Sequence, residues 1–116
     1  MEDKSKQVTR IFEDLLIRDT KIRYPDPETG WLDGFVSRRV SFGVINDLNQ
    51  AITVTPIGKV GAAEAALKTG TSVSANTEAI VSLNLDDNFA PAVSVMLQAS
   101  TAPTTGAITV YVVSKE

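Results

Sequence analysis

Apolar and polar side chains alternate with a period of two through most of the chain after residue 39. The clearest case runs from Val93 to Ala99, and a second run from Ile108 to Val113 follows the same rule. Successive residues of a strand point to opposite faces, so each run offers one apolar face and one mostly polar face. This pattern favours an antiparallel β-sandwich or barrel over a parallel sheet covered on both sides. We expect an all-β fold with about six to eight strands in two small sheets.

The composition changes where the alternation begins. Residues 1–39 carry 16 charged side chains, eight basic and eight acidic, whereas residues 40–116 carry nine. A chain of 116 residues ordinarily holds one domain. The sequence therefore predicts an N-terminal arm, residues 1–34, followed by a β-sandwich domain, residues 35–116.

A second periodicity lies within the arm. Five apolar side chains recur at the spacing of one helix face: Val8, Ile11, Phe12, Leu15 and Leu16. This spacing predicts a short amphipathic helix over about residues 5–18. The competing interpretation is that residues 15–23 are already extended. The apolar face either packs on its own β-domain or docks on a neighbouring subunit, and both alternatives are open.

Residues 24–34 have the composition of a loop. Two prolines restrict φ and two glycines permit left-handed geometry, so neither a helix nor a central strand is expected there. Trp31, the only tryptophan, belongs to this segment. It either covers the core of its own domain or anchors an interface with another subunit.

Turn residues separate the predicted strands. The segment 46–49 is expected to close a tight hairpin, residues 86–91 form a wider corner, and residues 101–106 join the last two strands. The alanine-rich stretch 58–70 is either one helical turn or an edge strand. Residues 71–77 are small and polar, which indicates a strand edge or a loop.

Two absences narrow the chemistry. The chain has no cysteine and no histidine, which removes disulfides, the usual zinc ligands and nucleophiles activated by histidine. Asp86, Asp87 and Asn88 are the one cluster with ligating oxygens, but the spacing of a calcium loop is missing, and a solvated turn is the stronger interpretation. We expect no catalytic residue, no metal and no cofactor.

Charge and hydropathy limit the partners. The net charge is −3 and only Arg38 and Arg39 form an adjacent basic pair, so we expect no nucleic-acid partner. The N-terminal sequence has no apolar run of signal-peptide length, and no later stretch has the length of a membrane span. We expect synthesis in the cytoplasm without a signal peptide, and function in a virion or an extracellular assembly.

The Ser/Thr/Ala-rich strands of residues 76–85 and 99–114 resemble the small jelly-roll sandwiches of tailed-phage structural proteins and of spore-surface appendage subunits. Appendage subunits of that type use N-terminal cysteines for cross-links, and this chain has none, which favours the phage family. The resemblance implies self-association or attachment to a capsid, tail or fibre, with the arm contacting a neighbour.

The size and the strand edges of the predicted domain also favour assembly. A sandwich of this size has open strand edges, and Lys59 and Lys68 are the only basic residues between Val40 and Ser114 to protect them. We therefore expect a non-enzymatic structural subunit that forms homo-oligomers and contacts other particle proteins. The expected subunit-interface residues are Val8, Ile11, Phe12, Leu15, Leu16 and Trp31. The alternative is a carbohydrate-binding or adhesion module, although seven aromatic residues supply few sugar-stacking surfaces.

Overall fold

The computed structural model describes residues 8–35 and 38–115, which form nine strands and no helix. The strands are β1 (Val8–Leu15), β2 (Leu32–Asp33), β3 (Arg39–Asn46), β4 (Ile52–Val60), β5 (Ala63–Ala66), β6 (Thr71–Val73), β7 (Thr77–Asn84), β8 (Ala92–Ala99) and β9 (Ile108–Lys115). The number exceeds the expected range because two of the strands, β1 and β2, lie in the segment that was predicted to be an N-terminal arm.

The strands form two antiparallel sheets in a sandwich-like arrangement. The first sheet has the order β1-β9-β3-β7, and the second has the order β2-β8-β4-β5, with β6 also paired to β4. The pairs are nested along the chain: β1 with β9, β2 with β8, β3 with β7, and β4 with β5 and β6. The chain is therefore folded back on itself over its whole described length.

The core lies between the two sheets and follows the predicted alternation. In β3, Val40, Phe42 and Val44 are buried, and β9 contributes every second residue from Ile108 to Val112. In the second sheet, every second residue of β8 from Val93 to Ala99 is likewise part of the core. Full burial of each such side chain contributes about 1.5–3 kcal/mol, so these inward positions provide most of the stabilisation of the sandwich.

The prediction of an N-terminal helix is wrong for the described part of residues 5–18, because residues 8–15 form β1 at the edge of the first sheet. Residues 5–7 lie outside the described residues. β1 pairs with β9 from Val8 to Leu15, which gives the backbone groups on that side of the strand hydrogen-bond partners. Docking on β9 therefore overrides the local helical periodicity.

Two β-bulges explain why this strand has the apolar spacing of a helix. Arg10 pairs with Tyr111 and Phe12 with Val110, so Ile11 is an extra residue that turns Phe12 towards the core. A second irregularity lies between Phe12 and Leu15, where Asp14 has a φ of 46°. Together, the bulges allow Ile11, Phe12 and Leu15 to pack against the core from one strand.

The predicted hairpin at residues 46–49 is also wrong. β3 belongs to the first sheet and β4 to the second, so this turn carries the chain from one sheet to the other. The turn over residues 86–91 and the loop over residues 101–106 cross between the sheets in the same way. Of the two alternatives for residues 58–70, the structure has an edge strand, β5.

The loop between β1 and β2 covers part of the outer face of the second sheet. Arg23 forms a bridge with Leu97 of β8, and Leu32 pairs with Val93 of the same strand. The chain advances nine residues from Arg23 to Leu32 while β8 advances four, so the intervening segment leaves the sheet edge. The hydroxyl of Ser94, on the outer face, donates a hydrogen bond to the carbonyl of Gly30 and is fully buried.

Candidate interaction surface

One row of residues crosses the outer face of the first sheet. Gly43 of β3 lies opposite Tyr111 of β9 on one side and opposite Ile80 of β7 on the other. Arg10 of β1 lies opposite Tyr111, so the row contains one residue from each of the four strands. Directly opposed residues of a sheet point to the same face, and these four point away from the core.

The centre of this face is apolar and hollow. Ile80 is 77% exposed, and Ile45 and Tyr111 are half-buried beside it. Because Gly43 has no side chain, a depression of about 500 Å³ lies above it between these groups. We call Gly43, Ile45, Ile80 and Tyr111 the Gly43 patch. An exposed apolar group of this kind on a largely polar sheet face is typical of an interaction surface.

Charged side chains lie on both sides of the Gly43 patch. The Arg10 guanidinium carbon is 5.3 Å from the centroid of the Tyr111 ring, and Arg10 Nη1 is 2.7 Å from Glu13 Oε1. The Glu13 carboxylate, and after it Tyr111, hold the pKa of Arg10 above its ordinary value. On the β7 side, Glu78 lies opposite Ile45 and is exposed. The Arg10 charge is therefore balanced within β1 by Glu13, and β7 carries a carboxylate.

Both edges of the first sheet are protected against pairing with another strand. The two bulges interrupt the hydrogen-bonding ladder of β1. On β7, Lys68 Nζ donates a hydrogen bond of 3.0 Å to the backbone oxygen of Ser82. Lys68, one of the two lysines noted in the sequence, thus lies where an added strand would bind. Contact through the face is favoured over pairing at the edges.

The predicted interface residues of the N-terminal segment are separated by the structure. Ile11, Phe12 and Leu15 pack against the core of their own domain, which is the first of the two alternatives for this apolar face. Leu16 is 60% exposed and points away from that core. Val8 belongs to β1, but its side chain lies outside the described part.

Trp31, the remaining predicted interface residue, is half-buried just before β2. The Lys59 ammonium lies 4.5 Å from the centroid of its ring, which is a favourable cation–π distance. Trp31 therefore contacts the end of β4 and does not contribute to the Gly43 patch.

The sequence interpretation missed the Gly43 patch, although one feature indicates it. Ile80 precedes the inward-facing Val81, so an apolar residue stands where the alternation calls for a polar one. Tyr111 likewise stands between the buried Val110 and Val112. Only the register shows that these two outward apolar residues lie on either side of Gly43.

A second exposed apolar group lies at one end of the sandwich. Phe35 is 73% exposed and Phe89 is 51% exposed, with ring centroids 5.4 Å apart at an angle of 61°. Rings that meet edge to face present no common flat surface. Nearby in the chain, the exposed Asp86 forms an ion pair of 3.2 Å with Arg38, as expected for a solvated turn.

The described residues contain no cluster of three or more acidic side chains placed to hold a metal ion. Over residues 8–35 and 38–115 there is also no helix with the length and apolar character needed to cross a membrane. The chain matches no protein-family model, no curated protein and no solved structure. Any functional conclusion therefore depends on the geometry of the chain's own residues.

Proposed function

We propose that this chain is a non-enzymatic structural subunit that self-associates or is built into a larger particle, such as a phage head, tail or fibre, or a protein filament. The observation that carries this proposal is the Gly43 patch, which is apolar and exposed on a sheet whose two edges are protected. When another protein covers a surface of this type, apolar area is removed from water and the free energy of the complex is lowered.

We also propose that the sandwich is a jelly roll, as the resemblance to phage structural proteins implies, and the order of the strands supports this. Nested pairing, from β1 with β9 inwards to β4 with β5, is the order produced when a long hairpin is rolled into two facing sheets. Jelly rolls of eight or so strands are common in viral capsid domains. Fold alone does not determine function, so the exposed patch remains the main argument.

The test is size-exclusion chromatography with light scattering, followed by negative-stain imaging, on the full chain. Loading at about 1 to 100 μM covers the range in which a modest interface dissociates. We expect oligomers or larger assemblies, and we expect Ile80→Lys to reduce them because it places a charge in the centre of the Gly43 patch. A wild-type chain that stays monomeric at the highest concentration would contradict the proposal.

Val60→Lys provides the matched control. Val60 is an exposed apolar strand residue like Ile80, but it lies at the end of β4 in the second sheet. The Val60→Lys variant adds the same charge as Ile80→Lys but outside the Gly43 patch. Its assembly state should therefore equal that of the wild type. Equal loss of assembly in both variants would show a general charge effect and would remove the support that the patch gives.

A further inference from the structure

We infer that a polar depression over the start of β3 and the end of β7 is a binding site for an acidic saccharide, a hydroxyl-rich ligand that carries one carboxylate or sulfate group. This inference goes beyond the proposed function and does not depend on it. It follows from the shape of the depression, from the charges that line it, and from hydrogen-bond donors that have no partner within the described residues.

The depression has the size of a small-ligand site. Its volume is about 570 Å³, which is within the usual range for such sites. Outward-facing residues of the two strands line it as opposed pairs, Arg39 with Asn84 and Ser41 with Ser82. Lys68 lies beside the β7 edge, and residues 87–88 of the turn after β7 complete the lining. These residues are different from those of the Gly43 patch.

The charges of the lining favour an anion. Arg39 and Lys68 contribute two positive charges and Asp87 one negative charge, so the lining is net positive although the chain is net negative. Within the described part of the chain the Arg39 guanidinium has no ion pair, whereas the adjacent Arg38 lies 3.2 Å from Asp86. An unpaired guanidinium offers parallel N–H donors that match two oxygens of a carboxylate or sulfate.

Two further donors are held in place by the fold. Asn84 Oδ1 accepts a hydrogen bond of 2.9 Å from the backbone N–H of Asp86, which fixes the orientation of the side-chain amide. Asn84 Nδ2 has no partner among the residues that the structure describes, so its hydrogens are available to a ligand. Lys68 Nζ is held 3.0 Å from the backbone oxygen of Ser82 and keeps its other hydrogens. Donors that are positioned before binding reduce the entropy cost of binding.

The rest of the lining favours a ligand with hydroxyl groups over a bare anion. The hydroxyls of Ser41 and Ser82, 3.5 Å apart, and the amide of Asn88 both donate and accept hydrogen bonds. The Asp87 carboxylate accepts from a hydroxyl but repels an anion close to it. A ligand with one acid group at Arg39 and hydroxyls elsewhere satisfies all of these groups. The described lining has no aromatic ring for stacking, so we expect a dissociation constant in the millimolar range.

The test is saturation-transfer difference NMR on the full chain, which detects weak ligands of monomers and of assemblies. The probes are glucuronate and neutral glucose, and inorganic sulfate is measured by its competition with glucuronate. Low ionic strength is used because salt screens exposed charges. We expect glucuronate to bind about tenfold or more tightly than glucose, which lacks the carboxylate. Glucuronate should also bind more tightly than sulfate, which lacks the hydroxyls. Equal affinity for sulfate and glucuronate would overturn the saccharide assignment.

Arg39→Gln tests the site itself. It should raise the dissociation constant of glucuronate about tenfold and leave the melting temperature unchanged, because Arg39 is exposed. Lys21→Gln is the matched control, since it removes the same charge from an exposed position in the loop over the second sheet. Its affinity should equal that of the wild type. Equal loss of binding in both variants would show a general charge effect and would overturn the site.

Asp87→Asn provides an independent measurement of selectivity. It should reduce the preference for glucuronate over sulfate, because the carboxylate repels the doubly charged sulfate more strongly than the singly charged glucuronate. An unchanged preference would contradict the part of Asp87 in the site.

Failure of this inference and failure of the proposed function are distinguishable. Oligomers in light scattering that bind no glucuronate would overturn the saccharide site alone, and a monomer that binds glucuronate would overturn the proposed function alone. Binding that is lost in Arg39→Gln and retained in Lys21→Gln, with glucuronate preferred to sulfate, would establish the site.

Discussion

The side-chain oxygen of Asn46 accepts a hydrogen bond of 3.0 Å from the backbone N–H of Leu48, and both residues are completely buried. The amide nitrogen of Asn46 lies 3.1 Å from each of three backbone oxygens, those of Gln50, Val73 and Ser74. One buried amide therefore joins the end of β3, the turn into the second sheet and the end of β6. The turn is fixed by this network across the sandwich and not by a hairpin ladder.

Asn46→Ala should destabilise the protein by about 3 kcal/mol, because it leaves the Leu48 N–H and buried carbonyls without partners. The measurement is urea unfolding followed by tryptophan fluorescence. Asn49→Ala is the matched control, since Asn49 bonds to Thr104 on the exposed surface, where water replaces the lost contacts. Asn49→Ala should cost less than about 1 kcal/mol. Equal losses would mean that the buried network has no special role.

Gly106→Ala should cost about 2–4 kcal/mol, and Gly61→Ala only about 1 kcal/mol, in the same unfolding measurement. Both glycines have positive φ, 88° and 60°, so both variants carry the strain of the left-handed region. At Gly106 a Cβ would also clash with the backbone oxygen of Asp47, whereas at Gly61 nothing lies within 4 Å. The difference between the two variants therefore measures the contact between the last loop and the β3–β4 turn. Indistinguishable values would contradict that contact.

The sequence predicted the layers of the fold well and its connections poorly. Alternation is a local property that identifies which residues of a strand face the core. In the run from Val93 to Ala99, the residues that it assigns to the core are buried. The turn chemistry of residues 46–49 is the same whether the next strand pairs with the last or crosses to the other sheet. The choice is made by contacts between distant segments, such as β1 with β9, which a local pattern does not contain.

The N-terminal segment shows how two structures share one pattern. Apolar residues at spacings of three and four fit a helix face, but they also fit a strand in which two bulges shift the alternation. Nothing in the residue types of Ile11 and Asp14 distinguishes a bulged strand from a helix. The Gly43 patch was missed for a related reason, since it arises from the register of four strands and not from any single segment.

Asp26 gives the loop over the second sheet a defined pH response. Its carboxylate accepts hydrogen bonds from the backbone N–H groups of Glu28 and Thr29, which hold the pKa of Asp26 below its usual value. A lowered folded-state pKa means that this contribution is complete above the unfolded pKa, near 4, and is lost as the pH falls through the folded value.

Asp26→Asn should therefore reduce the difference in stability between neutral pH and pH of about 2, relative to the wild type. The measurement is the midpoint of thermal unfolding across that range, and limited proteolysis of residues 24–31 reports the loop itself. Asp87→Asn is the control, because Asp87 is also exposed and makes no such side-chain hydrogen bonds within the described residues. A steeper acid dependence in Asp26→Asn than in the wild type would contradict the assignment.

Substitutions at Phe12 and Leu16 distinguish packing within the domain from contact between subunits. Phe12 is 8% exposed in the core and Leu16 is 60% exposed, although both were predicted to lie on one helix face. Phe12→Ala should cost about 3 kcal/mol or more in urea unfolding, because it leaves a cavity between the sheets and weakens the docking of β1 on β9. Leu16→Ala should change the stability of the monomer by less than about 0.5 kcal/mol. Light scattering on the same two variants measures their assembly state. A change in assembly state for Leu16→Ala without a loss of stability would assign Leu16 to an interface. In urea unfolding, a Phe12→Ala variant as stable as the wild type would contradict the packing of β1.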